Sequence, residues 1–480
     1  MKILLIPSYT LDSVTRVGRT PPLSLLFLAA VLRQAGHEPR ILDLDSLPAP
    51  RNLDRETFYL QTVLAAVAEQ RPGMVGINCL LTTHFPFVRR TAEAIKARHP
   101  SLPLAIGGIH PTLFAREILE HCPAIDAIAL GEGEDQAVAL AQAFAQGNRT
   151  ALGHIEALAF RDQNGAVQVT PRRGYIKDLD RLPAPAWDLI RLEDYYTDHS
   201  TWYNPRGLEI KMSIPILSSR SCPYNCSFCS AHKMMGRGHR LRSPELVVDE
   251  MQMLYERHGI NYFGFVDDNL TLNKPHILAI CREIVRRGLV IQFESFNGYN
   301  LNSLDEEIME AMVEAGCVYV ILPIEHGSDR MRQEIIGKKI SRGKIFQVAE
   351  LCKRYDLLTR GVFIMGFPEE TRETLTDTYN MIHDLQLDMN LVFNLIPYPG
   401  TRIFQQALRD NLFLTEIDAG RLWDGTWDLN ALQSQFYLRP YHLSLEDLQE
   451  FREKFDALKF FSPRAQALQA PRTHEHVLQT

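Results

Sequence analysis

Two separate stretches of this chain alternate short apolar runs with helix-spaced segments, and that alternation restricts the folds open to it more than any other feature. In the first stretch, Lys2–Ile6, Arg40–Leu44, Met74–Asn78, Leu104–Ile106 and Ala127–Leu130 read as strands. Helical segments lie between them: Leu23–Gln34 has helical apolar spacing and meets Gly36, a residue suited to a helix C-terminus. Strands that alternate with helices predict an α/β class with a parallel, doubly wound sheet. Ligands of such sheets sit beyond the carboxyl ends of the strands. Asn78–Thr83, Gly107–Thr112 and Gly131–Glu134 fall at that edge.

In the second stretch the predicted strands are Ile214–Leu217, Tyr262–Val266, Val290–Glu294, Val318–Glu325, Arg360–Met365 and Leu391–Ile396, each followed by a helix. Ser243–Pro244 opens one helix with an N-cap residue and a proline. Ser303 with Glu306 makes a capping-box pattern, and Gly316 closes that helix. Six βα units in series suggest an open, partial barrel with active-site residues at its strand C-termini. At 480 residues the chain exceeds one ordinary core. The expected division is a Rossmann-like domain over 1–147, a proline-marked connector over 148–204, the partial barrel over 205–404 and a small C-terminal helical domain with a polar tail over 405–480. Asp178–Pro185 lies in the connector, and the charged helix of the last part is expected near Leu443–Leu458.

Composition narrows the setting. Hydrophobic residues make up 45% and charged residues 23%, the balance of a globular domain. A net charge of −7 gives no overall attraction to nucleic acid or anionic membrane. The longest apolar run, Leu25–Leu32, is too short to span a bilayer. Eight cysteines in this length do not suggest a disulfide scaffold, so a reducing cytoplasm is expected, where clustered cysteines imply metal or catalysis.

Cys222, Cys226 and Cys229 follow the first barrel strand with spacing C-x3-C-x2-C. Three thiolates in eight residues can hold three irons of a cubane and leave the fourth open to chelate an amine and a carboxylate. The competing reading is zinc, because His232 would complete a tetrahedron of three sulfurs and one nitrogen. The other cysteines, Cys79, Cys122, Cys281, Cys317 and Cys352, sit in apolar contexts and read as packing residues. Lys233, Arg237, His239, Arg240 and Arg242 form a basic run that reads either as a solvated face or as an anion contact.

The segment Ser221–Ser230, SCPYNCSFCS, resembles the signature of the radical S-adenosylmethionine (SAM) superfamily. The resemblance implies a 4Fe–4S cluster on the three cysteines, with Phe228 near the adenine of SAM. Asp267–Asp268–Asn269 resembles the family's contact to the SAM amino group, and Glu325 its polar contact to SAM. Gly361–Pro368, which contains Gly366, resembles the segment whose backbone reads adenine, and Pro397–Thr401 resembles the end of the sixth strand.

In the first domain no G-x-G-x-x-G follows strand one, which argues against NAD. The glycine loops Gly107–Gly108 and Gly131–Glu132–Gly133, with His110, instead resemble the cobalamin-binding domain of one radical SAM class. That class includes carbon and phosphorus methylases and the anaerobic Mg-protoporphyrin ester cyclase. The resemblance covers roughly residues 1–400. His110 is expected at the nucleotide or corrin edge, and His84 follows Thr82–Thr83 in the neighbouring loop. No D-x-H-x-x-G motif occurs, so the lower cobalt face is expected to be open, bound by water or capped by another side chain.

The implied reaction starts with an electron from the cluster to SAM, giving a 5′-deoxyadenosyl radical that abstracts hydrogen from an unactivated carbon of a small molecule. Cobalamin then donates a methyl group, and a second SAM restores it. A flavodoxin or ferredoxin is the expected reductant. One alternative is oxidation or ring closure from the same radical; another, from a different class, is a zinc-stapled ligand sensor. Trp423, Trp427, Tyr437 and Tyr441 could roof an apolar substrate or form the core of the last domain.

Overall fold

The computed structural model describes residues 1–9, 20–47, 53–196, 203–415, 417–425 and 435–467. Trp427 and most of the loop after the first strand lie outside the described residues.

The first sheet has seven strands, β1 (Lys2–Ile6), β2 (Glu38–Ile41), β3 (Met74–Asn78), β4 (Leu104–Gly107), β5 (Ala127–Ala129), β6 (Leu158–Arg161) and β7 (Val167–Val169), in the order β2-β1-β3-β4-β5-β6-β7. The first five are parallel, with Ile3 opposite Met74 and Lys2 opposite Glu38. Successive residues of β1 enter different cores: Leu4 and Ile6 one face, Ile3 and Leu5 the other. Helices cover both faces, which is why the parallel strands read as continuous apolar runs.

The sheet does not stop at residue 147. Strands β6 and β7 add an antiparallel hairpin, so part of the expected connector is sheet. Asn164–Gly165 in its turn, with Gly165 at φ +82°, is the local signal for this hairpin.

The second unit contains β8 (Ile214–Ile216), β9 (Ser219–Arg220), β10 (Arg240–Leu241), β11 (Tyr262–Phe265), β12 (Gln292–Ser295), β13 (Tyr319–Glu325), β14 (Leu358–Met365) and β15 (Met389–Asn394). Strands β8, β11 and β12 form one parallel triple, and β13, β14 and β15 another. A parallel bridge from Phe293 to Cys317 joins the triples into a six-stranded open barrel. Strands β9 and β10 form a small antiparallel pair at its top.

The helix ends follow local rules. Pro244–His258 starts with its proline and ends at Gly259, which is left-handed. For Glu306–Ala315 the cap is Asp305, whose carboxylate accepts from Ile308 N–H at 3.0 Å, and not the expected Ser303. The Ser303 hydroxyl donates instead to the Asn300 carbonyl at 2.8 Å. Gly316 closes that helix at φ +111° as its position predicts.

The last segment does not form a separate domain. Helix Leu445–Ala457 inserts Leu448, Phe451 and Phe455 into the barrel core. Asn390 N–H bonds Lys459 O at 2.8 Å, and Phe460 bridges Met389, so this segment seals the open edge beside β15. Each such fully buried apolar side chain contributes about 1.5–3 kcal/mol. Trp423 packs against the first sheet, with Phe85 and Phe87, so it is core rather than a substrate roof.

Candidate functional site

The three clustered cysteines sit in the loop that leaves β9, and Ser221, just before Cys222, adopts φ +70°. A non-glycine residue held left-handed costs about 1–3 kcal/mol and persists only where its surroundings impose it. Here Ser221 N–H donates to Asp268 Oδ2 at 3.1 Å and its hydroxyl to Gly238 O at 2.6 Å. Ser227 N–H bonds Ile336 O at 2.8 Å, and Ser227 O accepts from Ile403 N–H at 3.1 Å. The far side of the loop is therefore tied to the later barrel. Asn269 Nδ2 donates to Cys222 Sγ at 3.5 Å.

Burial pushes the Cys226 thiol up to about 12 and raises that of Cys229, so each keeps its proton until a cation takes its place. Among the described residues no three His, Cys, Asp or Glu side chains are grouped so as to hold a single metal ion. A cubane needs a wider triangle, because each thiolate meets a different iron. Phe228 packs with Phe367, Leu395 and Ile403 beside the loop.

The two adjacent aspartates part company. Asp267 is fully enclosed: it accepts from Ser218 N–H at 3.1 Å, from the Ser218 hydroxyl at 2.7 Å and from the Ser219 hydroxyl at 2.5 Å. Burial raises its pKa to about 6, against the pull of these donors. Expected as a SAM contact, it instead clamps the turn between β8 and β9. Asp268, the next residue, is exposed and lines the large cavity described below.

At the end of β13 the pairing with β14 slips between Pro323 and Glu325, and Glu325 itself takes φ +70°. Lys338 Nζ donates to Glu325 Oε1 at 2.8 Å and also to Pro323 O. Gly366, at φ +93°, directly follows β14, and its N–H and that of Phe367 both donate to Glu370 Oε2. Glu370 Oε1 pairs with His326 Nε2 at 2.9 Å. Because His326 Nδ1 accepts from Ser328 N–H at 3.0 Å, Nε2 carries the proton and donates. This fully buried pair fixes the glycine turn. Pro397 is buried just past β15.

A cavity of about 710 Å³ lies between the first sheet and the barrel. Ser8, Asn78, Gly107, Gly108 and Gly131–Glu134 line it from the sheet's carboxyl edge, and Pro215, Leu217, Arg220 and Asp268 from the barrel. It continues inward as an apolar slot past Leu5, Gly76, Ala105, Leu25, Leu28 and Leu140. Gly108, at φ +117°, has the Cys79 carbonyl only 2.2 Å from where a Cβ would stand, so only glycine fits. Gly131, at φ +71°, packs against the Arg172 guanidinium.

Two residues expected at the cofactor are elsewhere engaged. His110 is enclosed between Phe85 and Phe114, with Nε2 at 2.9 Å from Trp423 O, and it does not reach the cavity. Burial lowers its pKa to about 4. Glu132, though at the cavity wall, is spent on an ion network. It accepts from Arg220 at 2.9 Å, from Arg240 at 2.7 Å and from Ile176 N–H at 3.0 Å. Arg220 also donates to Glu134 at 2.5 Å, and Arg242 pairs with Glu250 at 2.9 Å. The basic run is therefore neither a solvated face nor an anion site at Arg240 and Arg242; both are buried or nearly so and pin the β9–β10 pair to its surroundings. Phe27, from the first domain, lies under both Arg220 and Arg242.

Lys338, Glu370 and Arg220 were not predicted from sequence. Arg220 acts through a partner 88 residues away, whereas Lys338 lies 13 residues from Glu325 and Glu370 three from Phe367. Cys79, Cys122, Cys281, Cys317 and Cys352 are buried, as their apolar contexts predicted. No helix among the described residues is long and apolar enough to cross a membrane.

Known proteins match this arrangement. Residues 10–141 match the model of the B12 binding domain, and residues 216–382 that of the radical SAM superfamily. An uncharacterized methyltransferase of Pyrococcus horikoshii is 32% identical over 417 residues, 86% of this chain and 85% of that protein. The anaerobic magnesium-protoporphyrin IX monomethyl ester cyclase of Rubrivivax gelatinosus is 28% identical over 408 residues, 85% of this chain and 70% of the cyclase. Among solved structures, the radical SAM methyltransferase TsrM from Kitasatospora setae, with tryptophan and a SAM analogue bound, superposes with a TM-score of 0.73 at 20% identity, over 95% of this chain and 88% of that one.

Proposed function

Since this chain belongs to the radical SAM enzymes that carry an N-terminal B12-binding domain, we propose that it is a cobalamin-dependent methyltransferase acting on an unactivated carbon of a small molecule. The observation that carries the reading is the single cavity shared by both halves, which reaches from the glycine edge of the first sheet to Asp268 beside the cysteine loop. Two cofactors whose reactions must meet need one enclosed space, with water kept out.

The residues present fit the three groups. Cys222, Cys226 and Cys229 would hold a 4Fe–4S cluster, and Cys226 and Cys229, half-buried with raised thiol pKa values, would give up their protons to it. The apolar slot lined by Gly76 and Ala105 suits the flat base of a nucleotide tail, while Gly107, Gly108, Gly131 and Gly133 let backbone approach a corrin ring closely. When bound, cluster, SAM and cobalamin supply an electron, a carbon-centred radical and a methyl group.

The chain's own side chains bind and orient. Asp268 accepts from Ser221 N–H through one oxygen, and its other oxygen would be left to hold the SAM amino group. Glu325, strained and pinned by Lys338, presents a second polar contact for SAM. The Gly366–Phe367 turn, fixed by Glu370 and His326, exposes backbone for the adenine, with Phe228 and Pro397 as its apolar surroundings. A flavodoxin or ferredoxin would supply the electron.

Ring closure or oxidation from the same radical is the second reading, favoured by the likeness to the Rubrivivax cyclase. The test starts with anaerobically reconstituted protein, SAM and a reductant, and measures release of 5′-deoxyadenosine and methionine. Cleavage should vanish when all three clustered cysteines become alanine and persist in Cys281→Ala; cleavage retained in the triple variant refutes the site. With methylcobalamin and candidate substrates, product mass then decides: a gain of one methylene means methylation, a loss of hydrogen means cyclisation or oxidation.

A further inference from the structure

Among the described residues one imidazole lines the interdomain cavity, that of His84, and no thiol does. Its place in the sheet is distinctive. The chain leaves β1 toward β2 on one side and resumes at β3 on the other, so the crevice between the carboxyl ends of β1 and β3 is the topological switch point where such sheets take their ligands. Ser8 stands just past β1 on one lip, and His84 ends the turn Thr82–His84 after β3 on the other.

The two lips are tied together. The Ser8 hydroxyl lies 2.8 Å from His84 Nδ1, and Ser8 N–H donates at 2.8 Å to Asn78 Oδ1. The relay Asn78–Ser8–His84 fixes the ring through Nδ1, the kind of outer hydrogen bond that orients histidines whose other nitrogen meets a metal. That other nitrogen, Nε2, makes no hydrogen bond to another described residue.

We propose that His84 Nε2 is the axial nitrogen ligand of cobalt in the cobalamin this cavity holds, on the face turned toward the first sheet. The inference rests on the cobalamin reading above and goes beyond it, because it fills the lower face that the missing D-x-H-x-x-G motif leaves without a histidine after strand one. The ligand comes instead from the loop after β3. Coordination here donates a lone pair and displaces at most a water, with no change in oxidation state.

The test is spectroscopic and needs no substrate. Protein is loaded with cobalamin, the cobalt is reduced to the divalent form, and EPR spectra are recorded for wild type with ordinary histidine, wild type with 15N-histidine, and His84→Ala. A nitrogen ligand splits each resolved cobalt line into a triplet, and 15N labelling should turn those triplets into doublets. The His84→Ala protein should retain cobalamin and lose the splitting. A triplet that survives labelling places the cofactor's own base on cobalt and overturns the proposal, as does an unsplit spectrum from wild type. Wild-type protein that retains no cobalamin refutes the cofactor itself, an outcome distinguished from the others by stoichiometry alone. The labelling arm keeps the inference falsifiable even if the alanine variant misfolds.

Discussion

Arg220 is the residue whose loss should cost most per atom removed. It is 5% exposed, and its two terminal nitrogens hold Glu132 and Glu134, which are as buried. Burial works against its charge, yet Glu134 and Glu132 outweigh it and push its pKa up. In Arg220→Met, Glu132 keeps Arg240 and Ile176 N–H, but Glu134 loses the partner of Oε1, and its Oε2 has none among the described residues. The damage therefore concentrates in one stranded carboxylate. Breaking a buried pair this way costs about 3–5 kcal/mol, whereas replacing both partners by apolar groups of similar size is often close to neutral. Arg220→Met alone should lower stability by about 3–5 kcal/mol, and Arg220→Met with Glu134→Leu should recover more than half of that loss. Urea unfolding followed by tryptophan fluorescence reads both. A single variant within about 1 kcal/mol of wild type, or a double variant no better than the single, would refute the assignment of the energy to Glu134.

Two further outcomes follow from the geometry. His110 has an ordinary pKa of 6.5 when unfolded and about 4 when buried, so between these values the unfolded state binds more protons and stability falls as pH drops. The slope is at most about 1.4 kcal/mol per pH unit for this one group. His110→Leu, weaker at pH 7 for want of its bond to Trp423, should close the gap to wild type as pH falls from 6.5 to 4, and a constant gap would count against burial as the cause. Gly108→Ala sets a Cβ 2.2 Å from Cys79 O at φ +117° and should cost more than about 2 kcal/mol along with cobalamin retention; Gly147→Ala, left-handed at φ +63° but in open space, should cost about 1 and leave retention intact.

The parts of this site that could be read from sequence are those whose meaning is local. Three cysteines within eight residues carry their spacing with them, and glycines such as Gly108 and Gly366 announce conformations no other residue takes easily. What could not be read depends on partners far off in the chain. Glu132 looks like a loop residue free to meet a ligand until Arg220, 88 residues later, claims it. His110 meets a carbonyl 313 residues away. Asp267 and Asp268 are chemically identical neighbours, and only the turn of the strand end sends one into a clamp and the other into the cavity. The hairpin of β6 and β7 was legible through Asn164–Gly165, but its proline-rich surroundings suggested a linker.

Trp423 gives the two halves an unequal timetable. Every strand of the first sheet lies within residues 2–169, so that layer can assemble while the barrel is still being synthesised. The slot beside Phe85, Phe87 and His121 nevertheless has to wait for an indole that emerges some two hundred and fifty residues later. A ribosome-bound chain cut short before that point carries a gap in its oldest core, and the arrival of Trp423 is what plugs it.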